Sequence, residues 1–186
     1  MVTSSRSVEI VDYDPRWPHL FEVFRDRVWP VVSDVATGIE HVGSTSVPGL
    51  AAKPIIDIDV VVPTPDAMGD AIRRVETLGY RYAGDLGIEN RHGFHEPAED
   101  PPHNLYVCLA GSRALRNHLA VRDYLRSHPE ARAAYAALKR RLADDHRTDR
   151  ASYGAAKTDF ILGILEAQGL SAIDRAAIRT ENKLPG

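Results

Sequence analysis

One stretch limits the fold more than any other: IIDIDVVV, Ile55 to Val62. It is dense in β-branched residues and too short for an ordinary helix, so it reads as a buried strand. Two aspartates interrupt it. Side chains alternate along a strand, which puts Asp57 and Asp59 on one face, roughly 6.5–7 Å apart at Cα, and Ile56, Ile58, Val60 and Val62 on the other. The chain must cover the apolar face and supply a partner for two like charges on the opposite one. Burial raises the pKa of at least one such carboxylate unless cations intervene. A divalent metal meets that need, because magnesium takes oxygen ligands, keeps several waters and bridges carboxylates to substrate phosphates.

Candidates for covering the apolar face lie on both sides of this strand. Leu20, Phe21, Phe24, Val28 and Val31 recur at three- and four-residue spacing in DPRWPHLFEVFRDRVWPVVSDV, one apolar face of a helix that Pro30 kinks or ends. PTPDAMGDAIRRVETLGY reads as a second helix, closed by Gly79. Strands are expected at SVEIVDY, IEHV, YRYAG, NRHGF and NLYVCLA. From Ser112 the chain becomes helical, in three segments: SRALRNHLAVRDYLRSH, PEARAAYAALKRRLADDH and RASYGAAKTDFILGILEAQG. Ser127 and Glu130 are spaced as a capping box at the start of the second, and IRTENKLPG at the end reads as polar and loose. Strands first and helices later predict an α+β fold. The 186 residues are expected to form one domain, with a sheet core over about 7–110 and C-terminal helices over about 112–180.

Between two expected strands lies the loop GSTSVPGLAAKP. Gly43 permits close backbone approach to a phosphate, with Ser44 and Thr45 beside it to supply hydroxyls and Lys53 downstream to offset charge. A Gly-Ser followed by Asp-x-Asp on an apolar strand resembles the signature of the polymerase-β-type nucleotidyltransferase superfamily. More of the chain resembles one family: YDPRWP, HVGSTSVPGLAAKPIIDIDVVV, HNLYVC, RDYLRSHPEARAAYAALKRRLA and YGAAKTDFI match the successive motifs of the GrpB family of bacterial proteins, over residues 8 to 168. The resemblance implies a nucleotidyltransferase-like mixed β-sheet flanked by helices, with a C-terminal helical segment.

Active members of that superfamily use a third carboxylate on a later strand. The matching strand here, HNLYVC, has none. His103 stands near the expected place and is the candidate proton acceptor, its unperturbed pKa being about 6.5. Glu96, Glu99 and Asp100 precede it, as loop acids or as a replacement oxygen ligand. His41 is either a hydrogen-bonded structural residue or, with His103 and the aspartates, part of a site for manganese or zinc. Arg91 is a surface arginine or a bidentate phosphate ligand. Tyr153, Lys157, Phe160 and Ile164 share a helical stripe, so Lys157 either snorkels past the core or reaches a bound phosphate. The run LKRRLADDHRTDR reads as a solvated helix end.

A net charge of -3 offers no chain-wide positive field for nucleic acid. The single cysteine, Cys108, sits in an apolar run and is expected to fill core. No apolar segment is long enough to span a bilayer and MVTSSRS lacks a signal-peptide core, so the expected location is the cytoplasm. Three readings follow. The first is transfer of a nucleoside monophosphate from a nucleoside triphosphate to a small acceptor, with Asp57 and Asp59 holding Mg²⁺ or Mn²⁺, His103 taking the proton, and Gly43, Ser44, Thr45, Lys53, Arg91 and Lys157 holding phosphate. The second is a nucleotide- or phosphate-binding module that has lost catalysis. The third is a His/Asp metal-dependent hydrolase.

Overall fold

The structure, a computed structural model, describes residues 8–181. Helix α1 (Trp17–Val32) carries the expected apolar stripe, burying Trp17, Phe24, Val28 and Val32, and runs two residues past Pro30. Strand β1 (Gly38–Val42) leads through a single 3-10 turn (Ser44–Ser46) and a loop to β2 (Ile56–Val62). Helix α2 (Pro65–Glu76) begins at Thr64, whose hydroxyl accepts from the Ala67 N–H. Gly79, at φ +89, lies just past its end. Strands β3 (Arg81–Gly84), β4 (Arg91–His95) and β5 (His103–Leu109) follow. The strands form one sheet in the order β1-β2-β5-β4-β3, with β2 and β5 parallel and the other neighbours antiparallel.

The two faces of β2 divide the molecule as the sequence requires. Ile56, Ile58, Val60 and Val62 are fully buried, against Phe24, Val28 and Val32 of α1 and Met68, Ala71 and Val75 of α2. Each such side chain contributes about 1.5–3 kcal/mol of hydrophobic stabilisation. On the aspartate side stand α3 (Arg113–Ser127), α4 (Pro129–Asp145), α5 (Arg150–Ala156), α6 (Thr158–Ala167) and α7 (Ala172–Glu181). Val47, Leu50 and Ala51 of the loop before β2 pack on Leu125, Tyr135, Ala136 and Ile164 and so tie this layer to the sheet.

Several local expectations are corrected. The described part of SVEIVDY makes only an isolated bridge between Val11 and Ala52, and its first residue, Ser7, lies outside the described range. The capping box does not form: Ser127 donates instead to the Asp123 and Tyr124 carbonyls, and α4 starts without a side-chain cap. The third C-terminal segment is two helices, broken at Lys157. At the C-terminal end α7 extends to Glu181 because Ile178 docks against Leu162 and Leu165; residues beyond 181 lie outside the described range.

Candidate functional site

A cavity of about 390 Å³ opens between the aspartate face of the sheet and the C-terminal helices. Gly43, Ser44, Asp57, Arg91, His118, Arg122, Tyr135 and Lys157 line its polar side, and Val121, Leu125, Ile161, Leu165 and Ile178 its apolar side. That size and mixture suit a small molecule with a charged and an apolar end.

Strand register decides who faces the cavity. Asp57 pairs with Asn104 and Asp59 with Tyr106 across β2 and β5, and Arg91 pairs with Cys108 across β4 and β5. Asn104 Nδ2 donates to Asp57 Oδ1 at 2.7 Å. Burial pushes the Asp57 carboxyl above its ordinary range, opposed by the Asn104 hydrogen bond and by the charges of His118 and Lys53. Asp59 is wholly buried. His118 Nδ1 donates to its Oδ2 at 2.7 Å, and its Oδ1 has no hydrogen-bond partner. Burial disfavours the His118 imidazolium, but the charge of Asp59 and the hydrogen bond to it more than offset that, so its pKa lies above the ordinary value.

Basic side chains gather around Asp57 from several elements. Lys139 of α4 is 2% exposed, lies 4.6 Å above the Tyr135 ring and donates to Ser44 Oγ at 3.0 Å. Burial, reinforced by Lys157, Arg140 and Lys53, lowers its pKa to about 6. Lys157 and Lys53 lie 4.6 Å and 5.2 Å from the Tyr153 ring centre. Burial and the neighbouring Lys53 bring Lys157 down to about 8. Arg91 stacks 4.5 Å above the Tyr106 ring, with its Nε buried and without a partner. Arg122 is held by Glu40 and the His41 carbonyl, while Arg126 donates to the Ser46 carbonyl and pins the loop.

The structure therefore brings together Gly43, Ser44, Lys53, Asp57, Asp59, Arg91 and Lys157, and excludes three expected residues. His103 pairs with Ile56, on the apolar face. It stacks on Phe24 at 4.0 Å, its Nδ1 donates to the Pro101 carbonyl, and its Nε2 accepts from the Tyr80 hydroxyl. Both nitrogens are occupied, and it cannot take a proton in the cavity. His41 pairs with Ile58, stacks on Phe21 at 4.6 Å and donates from Nε2 to Thr45 Oγ1. Burial lowers its pKa to about 4, so it is a neutral structural histidine. Thr45 is spent on His41 and on the Ile55 carbonyl, not on a phosphate. Of the loop acids, Asp100 forms an ion pair with Arg27, away from the cavity. Among the described residues no group of three or more histidine, cysteine, aspartate or glutamate side chains is placed to hold a metal, and His41 and His103 lie on the sheet face opposite Asp57 and Asp59, so the mixed His/Asp set does not come together.

Sequence reasoning missed Lys139, His118 and Asn104. Tyr135, Lys139 and Leu142 repeat the spacing that marked Tyr153, Lys157 and Phe160, so one rule would have found both lysines. His118 shares a stripe with Val121, Arg122 and Leu125.

The GrpB protein family model matches residues 7–167. The chain belongs to the GrpB family. It is 35% identical over 156 residues to UPF0157 protein YqkA of Bacillus subtilis, covering 84% of this chain and 46% of that protein. It is 36% identical over 163 residues to UPF0157 protein BH1888 of Halalkalibacterium halodurans, covering 86% and 82%. The crystal structure of GrpB from Enterococcus faecalis superposes with TM-score 0.76 at 29% identity, over 94% of this chain and all of that one. The Cid1 poly(U) polymerase with bound MgGTP superposes with TM-score 0.55 at 11% identity, over 80% of this chain and 50% of that one, a likeness of fold alone. This GrpB chain thus has the nucleotidyltransferase fold, a mixed five-stranded sheet flanked by helices. No described helix is long and apolar enough to cross a membrane.

Proposed function

We propose that this GrpB protein binds a nucleoside triphosphate in the cavity and transfers its nucleoside monophosphate to a small acceptor. One observation carries the reading: Gly43, Ser44 and Asp57 meet Lys139 and Lys157 at one end of a ligand-sized cavity. The pKa of Lys157 is held down by burial and by the neighbouring Lys53, and a polyanion that joins these cations relieves their repulsion.

The donor set fits magnesium or manganese. Asp57 lines the cavity, and the unpartnered Oδ1 of Asp59 is a buried carboxylate oxygen on the same strand face. Asn104 stands where a third carboxylate would pair with Asp57, so the set suits one ion shared with substrate phosphates and waters better than two. When bound, that ion would neutralise phosphate charge and polarise the phosphorus under attack. The chain's own residues do the rest. Ser44 and the Gly43 backbone orient phosphate, Lys53, Lys157 and Arg91 offset charge on the leaving group, and the helices exclude water. Asn104 equally favours the second reading, a module that binds nucleotide without turnover.

Calorimetric titration of ATP, GTP, CTP and UTP into wild type and Asp57→Ala, with and without Mg²⁺ or Mn²⁺, tests the site. Metal-dependent binding lost in the variant is expected. No binding of any nucleotide would sink the proposal, and binding with no product from any acceptor would leave the module.

A further inference from the structure

Holding phosphate does not explain the contact between Ser44 and Lys139. A lysine that only offsets phosphate charge does so best as an ammonium with its head in the cavity. Lys139 is instead packed beneath it, against the Tyr135 ring, with Nζ 3.0 Å from Ser44 Oγ. Its depressed pKa of about 6 makes it a neutral amine at pH 7, with a lone pair available. Ser44 is half-buried and lines the cavity beside Asp57. A hydroxyl within hydrogen-bond reach of a base that a third group positions, here Tyr135, is the arrangement of an activated nucleophile.

Resting on the nucleotide site proposed above, we infer that Ser44 is a nucleophile with Lys139 as its base, and that it carries the nucleoside monophosphate as a covalent intermediate. Ser44 Oγ attacks the α-phosphorus of the bound nucleoside triphosphate. The Oγ–P bond forms as the bond between the α-phosphorus and the bridging oxygen breaks, and pyrophosphate leaves with the electron pair. The Ser44 proton passes to Lys139 Nζ. Attack by an acceptor hydroxyl oxygen on the same phosphorus then forms the acceptor O–P bond and breaks the Oγ–P bond; Lys139 returns its proton to the departing Ser44 Oγ, and the acceptor's proton is released to solvent. The first half needs no carboxylate on β5, because Lys139 does the work a third carboxylate does in direct transfer. Asn104 on β5 is then compatible with turnover.

The test incubates the full chain with each nucleoside triphosphate and Mg²⁺ or Mn²⁺, without acceptor, and measures the intact mass after a denaturing quench. Wild type is expected to gain one nucleoside monophosphate, mapped to Ser44 by peptide fragmentation, with release of one pyrophosphate per chain. Ser44→Ala, checked for a wild-type melting profile, is expected to gain nothing. Lys139→Met, close in volume and checked for a wild-type melting profile, is expected to form adduct at least about a hundredfold more slowly. Nucleotide binding by wild type without an adduct, an adduct on another residue, or gain of a phosphoryl group alone overturns the covalent step and leaves the binding site standing. No nucleotide binding overturns both.

Discussion

Gly43 and Asp57 approach so closely that a Cβ on Gly43 would stand 2.0 Å from Asp57 Oδ2. Gly43 also has φ +69 and ψ −171, a region essentially closed to other residues. Gly43→Ala is therefore expected to cost about 1–3 kcal/mol of stability in urea denaturation. It also displaces the carboxylate that faces the cavity. Nucleotide affinity should fall by at least about tenfold, roughly 1.4 kcal/mol. Wild-type affinity in a folded Gly43→Ala protein would remove this loop from the binding site.

His103 supplies the converse case. Arg27 donates to the Tyr80 hydroxyl at 2.6 Å, Tyr80 to His103 Nε2 at 2.7 Å, and His103 Nδ1 to the Pro101 carbonyl at 2.8 Å. This is a buried chain of hydrogen bonds on the far side of the sheet. His103→Ala leaves the Tyr80 hydroxyl without an acceptor and opens a void under Phe24, at an expected cost of about 2–4 kcal/mol. Nucleotide binding by the folded variant should match wild type. A selective loss of binding with unchanged stability would return His103 to the site.

That contrast marks how far the sequence was legible. The period of two in IIDIDVVV was enough to place both aspartates on one face and the sheet core on the other. Which residues of β5 joined them depended on register, and a one-residue offset turns a side chain to the opposite face. His103 falls beside Ile56, so Asn104 meets Asp57. Lys157 was visible as a polar residue in an apolar stripe. Lys139 was hidden because LKRRLADDH looks uniformly charged, although only one of its lysines and arginines is buried. His118 carries no local mark: its role arises only because α3 packs over the sheet and sets it against Asp59.

The Asp59–His118 pair stabilises as well as shapes the site. Asp59 is 0% exposed, and His118 donates to its Oδ2 at 2.7 Å. His118→Ala strands a buried carboxylate and is expected to cost about 3–5 kcal/mol. Adding Asp59→Asn removes the stranded charge and should recover part of that loss. A double-mutant cycle by urea denaturation should give a coupling of about 1–3 kcal/mol. Strictly additive effects would mean that the contact carries no energy.

Lys139 and Lys157 link stability to pH, and Lys157 makes anion binding a proton-linked event. Burial and neighbouring cations hold their pKa values at about 6 and about 8. Unfolded lysine titrates near 10.4, so between those values the unfolded chain binds more protons, and the stability of the free protein rises with pH through that window. A bound triphosphate reverses the balance at Lys157, which lines the cavity, by favouring its ammonium form, while Lys139, packed beneath on Ser44, stays the neutral base. At pH 8 Lys139 is neutral and Lys157 about half protonated, so binding draws protons from solvent, and affinity should strengthen as pH falls from about 9 to about 7. The binding enthalpy measured in buffers of different ionisation enthalpy should report net proton uptake at pH 8. Lys157→Met should reduce that uptake and flatten the upper part of the pH profile. Binding with no uptake at pH 8 in wild type would show that Lys157 does not meet the phosphates.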